Sequence, residues 1–293
     1  MSAGARATRA VRAGSKAAPE FETAVRSLVF NVLFYGIMVV TIIITVPWSF
    51  FISRDHLMSF VRAWARSSSA LMKSVCRLEH EVRGMENIPK GGYIFAGKHQ
   101  SFWETFAFIP LLHDPCYIIK RELLYVPIWN WYAVKARMVF VSRGKGQQAL
   151  KEMSTGSARE TAAGRPIMLF PEGTRRAPGA PPAYKFGITH LYRQLDVPVL
   201  PVALNSGLYW PRRKFMRYPG KILVELLPPI PPGLPADAFQ TRLVQAIEDA
   251  CDRLLIEADA AVPRPPFPPE AEARLKSLRG KAGNMPSPPP SPE

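Results

Sequence analysis

Residues 93–104 read YIFAGKHQSFWE, in which an apolar run gives way to an imidazole and then, five positions later, to a carboxylate. The apolar run Tyr93–Ala96 predicts a buried strand, and the pattern that begins near Ser101 predicts a helix. His99 and Glu104 then lie at the carboxyl end of a strand, the edge where open α/β sheets place their ligands. A carboxylate in the first helical turn can orient this imidazole as a general base. Taken singly, a structural histidine and a carboxylate favoured by the helix dipole are the alternatives.

The rest of residues 78–260 alternates short apolar runs with helical patterns. The predicted strands are Tyr93–Ala96, Tyr117–Lys120, Met138–Val141, Ile167–Phe170, Val199–Leu204 and Ile222–Leu226. The predicted helices are Ser101–Leu112, Ile128–Ala136, Gln147–Ala163, Tyr184–Gln194 and Asp237–Glu257. Runs that are apolar on both sides and separated by helices are typical of parallel sheets. The pattern therefore predicts an α/β domain whose mostly parallel central sheet is flanked by helices.

A second polar stretch, Phe170–Arg176, reads FPEGTRR and ends another predicted strand in a tight turn. Backbone amides around Gly173, the hydroxyl of Thr174 and the guanidinium of Arg175 suit the binding of a phosphate. Glu172 stands beside the arginines, which favours a role in holding them in place over contact with an anion. An ordinary surface turn with a solvated ion pair is the alternative for this stretch.

The N-terminal part of the chain predicts a membrane anchor. Residues 1–26 are small, polar and basic, which is typical of a disordered segment. No residue from Ser27 to Ser53 is charged. A bilayer core of about 30 Å is crossed by roughly 20 helical residues, so this stretch can span the membrane or embed in it deeply. Its bulky end at Trp48–Ile52 is unlike a signal-peptide cleavage site and predicts that the anchor is retained.

Two further segments adjoin the predicted α/β domain of residues 78–260. Leu57–Cys76 interleaves apolar residues with arginines and a lysine, which is typical of a helix in the membrane interface. It would complete an anchor region at 27–77, and a helix that covers the soluble core is the alternative. Residues 261–293 are rich in proline, a composition that builds no core and predicts a disordered or polyproline tail.

Charge and motif content narrow the functional classes. The 38 lysines and arginines against 23 acidic residues give a net charge of +15, which favours nucleic acid, anionic lipid or a phosphorylated substrate as partner. No HExxH or Gly-x-Ser-x-Gly motif occurs. Cys76, Cys116 and Cys251 stand far apart, which is unfavourable for a zinc site or a disulfide framework and suits a reducing compartment.

Four blocks, in this order and spacing, resemble the glycerolipid acyltransferase family, the 1-acyl-glycerol-3-phosphate acyltransferases of phospholipid synthesis. His99–Glu104 resembles the family's His-x4-Asp block, and Phe170–Arg175 resembles its Phe-Pro-Glu-Gly-Thr-Arg block. Phe140–Arg143 resembles an arginine-containing block, and Val197–Pro201 resembles a Val-Pro-x-x-Pro block. The resemblance covers about residues 80–226.

Two departures from the family pattern concern the first and second blocks. Glu104 stands where the family has aspartate, a carboxylate that is one methylene shorter. Ahead of the second block, Arg137 replaces the usual glycine, and Ser142 replaces an acidic or amide residue. The second block bears on the acceptor, so its departures concern which lysolipid is acylated.

The resemblance implies a reaction and a set of roles. His99 would take the proton from the free hydroxyl of a lysolipid, and Glu104 would orient the imidazole. The hydroxyl would attack the thioester of acyl-CoA or acyl-carrier protein directly, without an acyl-enzyme, a metal or a bound cofactor. The residues expected to bind the acceptor phosphate are Arg143, Glu172, Gly173, Thr174 and Arg175. The product would be phosphatidic acid, made at the cytoplasmic side of a bacterial inner membrane.

Two rival functions stay open. The acceptor is another lysolipid, such as lyso-ornithine lipid, if the atypical second block reflects a different headgroup. A catalytically inactive fold that acts as a basic membrane adaptor or nucleic-acid binder is the rival from another class. A nucleic-acid binder is expected to carry a recognisable binding motif or a basic stripe along one face, and neither is evident in the sequence.

Overall fold

A central sheet organises the fold, and the computed structural model describes residues 20–48, 51–126, 129–142 and 144–283. Within these ranges the sheet has seven strands: β1 (Leu78–Arg83), β2 (Ile94–Gly97), β3 (Cys116–Lys120), β4 (Val139–Val141), β5 (Ile167–Leu169), β6 (Val199–Leu204) and β7 (Gly220–Leu226). Their order is β1-β7-β6-β2-β5-β3-β4. Only the neighbours β6 and β7 are antiparallel within the described strands. The predicted α/β class with a mostly parallel sheet is confirmed.

Helices cover both faces of this sheet. They are α1 (Glu20–Trp48), α2 (Arg54–Cys76), α3 (Glu104–Ala107), α4 (Trp129–Lys135), α5 (Gly146–Ala162), α6 (Gly187–Leu195), α7 (Ser206–Tyr209), α8 (Ala236–Asp259) and α9 (Pro269–Gly283). Along β2, Phe95 packs into one apolar core while Ile94 and Ala96 pack into another. Because side chains alternate along a strand, these cores lie on opposite faces of the sheet.

Two elements differ from the sequence-based expectation. β1 is absent from the predicted strands because five of its residues are partly or fully exposed at the edge of the sheet, and its sequence LEHEVR carries no apolar alternation. The helix predicted over Ser101–Leu112 is shorter, since only Glu104–Ala107 is helical. Pro110 lacks the N–H that a continuing helix needs and restricts the residue before it.

Helix α1 is long, and its surface is largely apolar and exposed. By length and composition Glu20–Thr45 is a candidate membrane span, and only 17% of its most apolar stretch is buried inside the protein. Its buried side is narrow and includes Phe30 and Phe34. Val32 and Ile43 are 63% and 64% exposed, an arrangement that suits a lipid environment better than water.

The predicted disorder of residues 1–26 is wrong from Glu20 onward, and residues 1–19 lie outside the described residues. The helix begins here because Glu20 and Glu22 occupy its first turn, where carboxylates interact favourably with the helix dipole. Glu22 Oε1 also lies 2.8 Å from Arg26 Nε one turn later.

Helix α2 covers the core, which is one of the two alternatives that its sequence leaves open. It buries Leu57, Met72 and Cys76 against the core, as a covering helix does. It also leaves Phe60 and Arg66 exposed on its outer side. Its insertion into a membrane interface stays a prediction.

The prediction of a disordered tail from residue 261 is wrong for α9, and residues 284–293 lie outside the described residues. Pro269 and the acidic Glu270 and Glu272 start the helix, the arrangement that first helical turns favour. Leu275 is 1% exposed within the core. Arg274 joins α9 to α8 through two hydrogen bonds to Asp252, of 2.8 and 2.5 Å.

This packing predicts that α9 stabilises the domain. We expect Leu275→Ala to lower the free energy of unfolding by about 2–5 kcal/mol, because it removes a buried side chain and leaves a cavity. Lys276→Ala, at the exposed next position of the same helix, is the matched control. Thermal unfolding in detergent measures both, and equal midpoints for the two variants would contradict a packed α9.

Candidate active site

The end of β2 places His99 beside a carboxylate, as predicted. The ladder of β2 continues to Lys98, whose N–H donates to the Val202 carbonyl at 3.1 Å. His99 Nδ1 then lies 2.8 Å from Glu104 Oε2. The imidazole stacks on Phe170 with ring centroids 4.2 Å apart and keeps 14% of its side-chain surface exposed. Its Nε2 makes no hydrogen bond to any of the described residues, so this nitrogen is available to a substrate hydroxyl.

Glu104 is held as an acceptor by several donors at once. It is fully buried, and its Oε1 accepts the backbone N–H of Ser101 at 2.9 Å and of Gln100 at 3.3 Å. The Ser206 hydroxyl also contacts Oε1. A carboxylate that accepts backbone hydrogen bonds takes the proton-bearing Nδ1 of His99 as a further donor. This selects the tautomer in which Nε2 carries a lone pair and can remove a proton.

The second predicted stretch forms the expected turn at the carboxyl end of β5. The Gly173 N–H donates to the Phe170 carbonyl at 2.9 Å. Gly173 has φ of +66°, and an added Cβ would lie 3.2 Å from the Lys185 side chain, so glycine suits the position for both reasons. The amide of Gly173 therefore serves the turn, whereas Thr174 is exposed beside it.

Arg175 is a cation that faces the site without a carboxylate partner among the described residues. Its Cζ lies 6.0 Å from the centre of the Phe102 ring, and its carbonyl accepts a hydrogen bond from Arg212 Nη1 at 2.7 Å. Burial lowers the pKa of the Arg175 guanidinium, Arg212 and Arg213 act in the same direction, and Glu104 opposes them. A half-buried guanidinium near other arginines favours an anionic ligand such as a phosphate.

Glu172 is buried inside the domain behind the turn, and its part in binding the acceptor stays a prediction. Its side chain is 1% exposed, and Oε1 lies 3.0 Å from Lys98 Nζ and 3.6 Å from Arg176 Nε. Burial raises the pKa of the Glu172 carboxyl, and the Lys98 ammonium partly opposes that rise. The carboxylate thus holds cations inside the domain and not at its surface.

Arg137 and Ser142, the two positions at which the second block departs from the family pattern, both have structural roles. Arg143 lies outside the described residues. Ser142 is buried, and its N–H and hydroxyl donate to Glu152 of α5 at 2.8 and 3.3 Å. Arg137 has φ of 58°, the left-handed conformation that favours glycine, which explains why a glycine is usual there. Its guanidinium lies 3.2 Å from Glu160.

The fourth block, Val197–Pro201, enters the middle of the sheet as β6. Val199 and Leu200 are fully buried, so this block builds the core that supports the site. The other end of β6 delivers Ser206 to Glu104, a contact that the sequence reading missed. The signal for Ser206 is a polar residue two positions after the end of a buried strand, the same position that His99 holds after β2.

The described residues contain no group of three or more His, Cys, Asp or Glu side chains arranged to hold a metal ion.

Two polar side chains near the site make hydrogen bonds within the protein. Gln100 Oε1 accepts the N–H of Gly207 at 3.0 Å, and Asn205 Oδ1 accepts the N–H of Leu223 at 2.8 Å. The first bond joins α7 to the loop after β2, and the second joins the end of β6 to β7.

Comparison with known proteins agrees with this arrangement. A family model described as Acyltransferase matches residues 79–205, a range that contains the two site turns. The 1-acyl-sn-glycerol-3-phosphate acyltransferase of Saccharomyces cerevisiae is 30% identical over 202 residues, which cover 67% of this chain and 64% of that protein. The crystal structure of the 1-acyl-sn-glycerophosphate (LPA) acyltransferase PlsC from Thermotoga maritima matches with a TM-score of 0.65 at 23% identity. That match covers 78% of this chain and 96% of the other and shows a shared fold.

A bacterial relative extends the similarity over almost a whole protein. The 1-acyl-sn-glycerol-3-phosphate acyltransferase of Pseudomonas aeruginosa is 32% identical over 237 residues, which cover 79% of this chain and 91% of that protein. The similarity thus reaches well beyond the short blocks around His99 and Arg175. With this extent of similarity, the chain belongs to the 1-acyl-sn-glycerol-3-phosphate acyltransferase family.

Proposed function

We propose that this enzyme transfers an acyl chain from acyl-CoA or acyl-carrier protein to the sn-2 hydroxyl of 1-acyl-glycerol-3-phosphate, giving phosphatidic acid. The observation that carries the proposal is the 2.8 Å contact between His99 Nδ1 and Glu104 Oε2, with Nε2 left available. A histidine oriented in this way by a carboxylate is a general base.

His99 Nε2 accepts the proton of the sn-2 hydroxyl as its oxygen attacks the thioester carbonyl carbon. A new C–O ester bond forms and the C–S bond breaks, so the thiolate of the donor leaves. The protonated imidazole then returns the proton to that sulfur, and the thiol is released. Glu104 stabilises the imidazolium between these two steps without taking the proton itself.

The acceptor phosphate lies against Arg175, with Thr174 and Arg143 as further ligands in this proposal. Gly173 shapes the turn that presents Thr174 and Arg175, and Glu172 holds that turn from inside. Arg175 supports this assignment because its guanidinium is half-buried beside Phe102 and has no carboxylate partner among the described residues. The exposed apolar surface of α1 supports a membrane location, and we place the site at the cytoplasmic side, where acyl thioesters occur.

The direct test is acceptor-dependent release of free thiol from oleoyl-CoA by the full chain purified in detergent. Release that requires 1-acyl-glycerol-3-phosphate supports the proposal, and isolation of phosphatidic acid identifies the product. Release with another lysolipid, but not with this one, would keep the reaction and overturn the acceptor. Binding to anionic vesicles or DNA with no release would favour an inactive adaptor.

Arg175 provides the test of the acceptor class. We expect Arg175→Ala to lower kcat/KM for 1-acyl-glycerol-3-phosphate about 10–100-fold, the effect of losing a charge-assisted pair of hydrogen bonds. Arg242→Ala, an exposed arginine of α8, is the matched control and is expected to leave kcat/KM unchanged. An equal loss for a lysolipid without phosphate, such as lyso-ornithine lipid, would show that Arg175 does not read the phosphate.

A further inference from the structure

A buried ionic cluster joins both site turns to helix α8. The Lys98 side chain is 5% exposed, and its ammonium lies 3.0 Å from Glu172 Oε1 and 2.8 Å from Glu248 Oε1. Tyr184 donates its hydroxyl to the same Glu248 oxygen at 2.8 Å. Its ring centre lies 5.4 Å from the ammonium. One cation therefore connects the end of β2, the turn after β5 and α8.

The cluster is separate from the reacting groups. Lys98 and His99 are neighbours in the chain, yet Lys98 points into the interior beside α8 while His99 faces Glu104. Glu248 lies outside the four sequence blocks and outside residues 79–205, which the family model matches. The proton transfer proposed above uses neither the ammonium nor its two carboxylates.

Lys98 and Glu172 are almost fully buried, so their charges depend on each other and on the partly exposed Glu248 for compensation. Burial alone lowers the pKa of Lys98, but Glu248, Cys251 and Glu172 together outweigh it and hold that pKa above its usual value, so the ammonium stays charged. Removing one partner of a buried pair leaves an uncompensated charge, which displaces or destabilises its surroundings. Loss of the Glu248 charge is therefore expected to rearrange the residues around Lys98.

A rearrangement of this cluster reaches the imidazole by two short routes. Phe170, two residues before Glu172, stacks on the His99 ring at 4.2 Å. Arg176, which also approaches Glu172, donates its backbone N–H to the His99 carbonyl at 2.8 Å. The turn that Glu172 belongs to thus contacts His99 through its ring and through its backbone.

We propose that Glu248 is a positioning residue, which through Lys98 and Glu172 fixes the turn that packs against the catalytic imidazole. The inference rests on the proposed function insofar as His99 acts as the general base. It gives α8 an indirect part in catalysis, because Glu248 acts on the imidazole through Lys98 and Glu172.

The test compares Glu248→Gln with Asp249→Asn in the full chain purified in detergent. The first change keeps the size of the side chain and removes the charge that faces Lys98, whereas the second removes an exposed carboxylate from the next position. We expect Glu248→Gln to lower kcat about tenfold with KM for the acceptor changed by no more than about twofold, because a displaced base slows the chemical step more than it weakens binding. We expect Asp249→Asn to match the unsubstituted enzyme and Glu248→Asp to recover most of the kcat.

A second measurement does not depend on turnover. In enzyme labelled at histidine with ¹⁵N, the His99 signals are assigned by their disappearance in His99→Ala. We expect these signals to shift in Glu248→Gln and to stay in place in Asp249→Asn. If Glu248→Gln does not fold, the variant Lys98→Met/Glu172→Gln/Glu248→Gln removes the ammonium together with both carboxylates that face it, and the same shift is expected in it.

The outcomes separate the inference from the proposed function. Unchanged kcat with unmoved His99 signals overturns the positioning role, and so does a kcat loss that only follows the loss of folded protein. Absence of turnover in the unsubstituted enzyme, or turnover that survives His99→Ala, contradicts the proposed function instead. In that case the shift of the His99 signals alone decides whether Glu248 positions the imidazole.

Discussion

Replacing His99 with alanine is expected to lower kcat for acceptor-dependent thiol release about 10²–10⁴-fold, the range that a positioned general base contributes. Nε2 of its imidazole is the atom that accepts the hydroxyl proton, because Nδ1 is already engaged by Glu104 at 2.8 Å. The fold is expected to persist, because the ring keeps 14% of its surface exposed and is only one of many groups around the site. Thiol release and the thermal unfolding midpoint are measured on the same preparation.

His113 offers the matched control for this change. It is an exposed histidine, and we expect His113→Ala to leave kcat unchanged. Thiol release from His99→Ala at the rate of the unsubstituted enzyme would remove the imidazole from the mechanism. A loss of activity shared equally by both variants would point to damaged protein and not to a lost base.

Glu104→Gln is expected to lower kcat by a similar factor of about 10²–10⁴, as occurs when a base is held in the wrong tautomer. The carboxylate accepts hydrogen bonds on both oxygens, from His99 Nδ1 on one and from Ser101 N–H on both. An amide has only one accepting oxygen, so one of these donors would face an NH₂ group. If that donor is Nδ1, the imidazole takes the opposite tautomer and Nε2 no longer accepts a proton.

The measurement is again thiol release, with Glu86→Gln as the control at an exposed carboxylate. We also expect Glu104→Asp to retain more activity than Glu104→Gln, because aspartate keeps two accepting oxygens on a side chain that is one methylene shorter. Activity of Glu104→Gln within about fivefold of the unsubstituted enzyme would contradict the orienting role, given the 10²-fold minimum expected from tautomer loss.

The sequence predicts the first half of the site well because all of its information is local. His99 follows a short apolar run and Glu104 opens a helical pattern, so the strand end, the helix start and the contact between them follow from one stretch of twelve residues. The Gly173 turn is equally local. Its proline and glycine signal a turn after a strand, and the structure gives Gly173 the positive φ that such a turn uses.

The direction in which Glu172 points has no local signal. Arg175 and Arg176 stand three and four positions later, a pattern that favours a surface ion pair or a phosphate-binding turn. The cation that it pairs with is 74 positions away at the end of another strand, and the second carboxylate is 150 positions from that cation. Contacts of this kind are set by sheet order and by the packing of α8, neither of which a pattern along the chain encodes.

Helix α9 is not evident when the composition is averaged over the whole of residues 261–293. The prolines between 263 and 269 dominate residues 261–293, whereas the next stretch contains Glu270, Glu272 and Leu275 in a helical arrangement. Reading the segment in shorter windows separates the proline-rich linker from the helix. Its attachment to the core through Leu275 depends on the neighbouring Ala271 and on α8, and so remains a tertiary property.

The packing of α1 has a consequence for how substrates arrive. Phe34 of this helix lies 5.6 Å from Phe106 of α3 and 5.8 Å from Trp210, ring centre to ring centre, so α1 shares a core with the helix that bears Glu104. A helix joined by a flexible linker would let the domain tumble above the bilayer, whereas α1 packs directly against the domain. When lipid surrounds α1, this packing restricts the height and tilt of the imidazole relative to the bilayer. The acceptor then finds His99 by lateral diffusion, a search in two dimensions at constant depth, and its surface density sets the encounter rate.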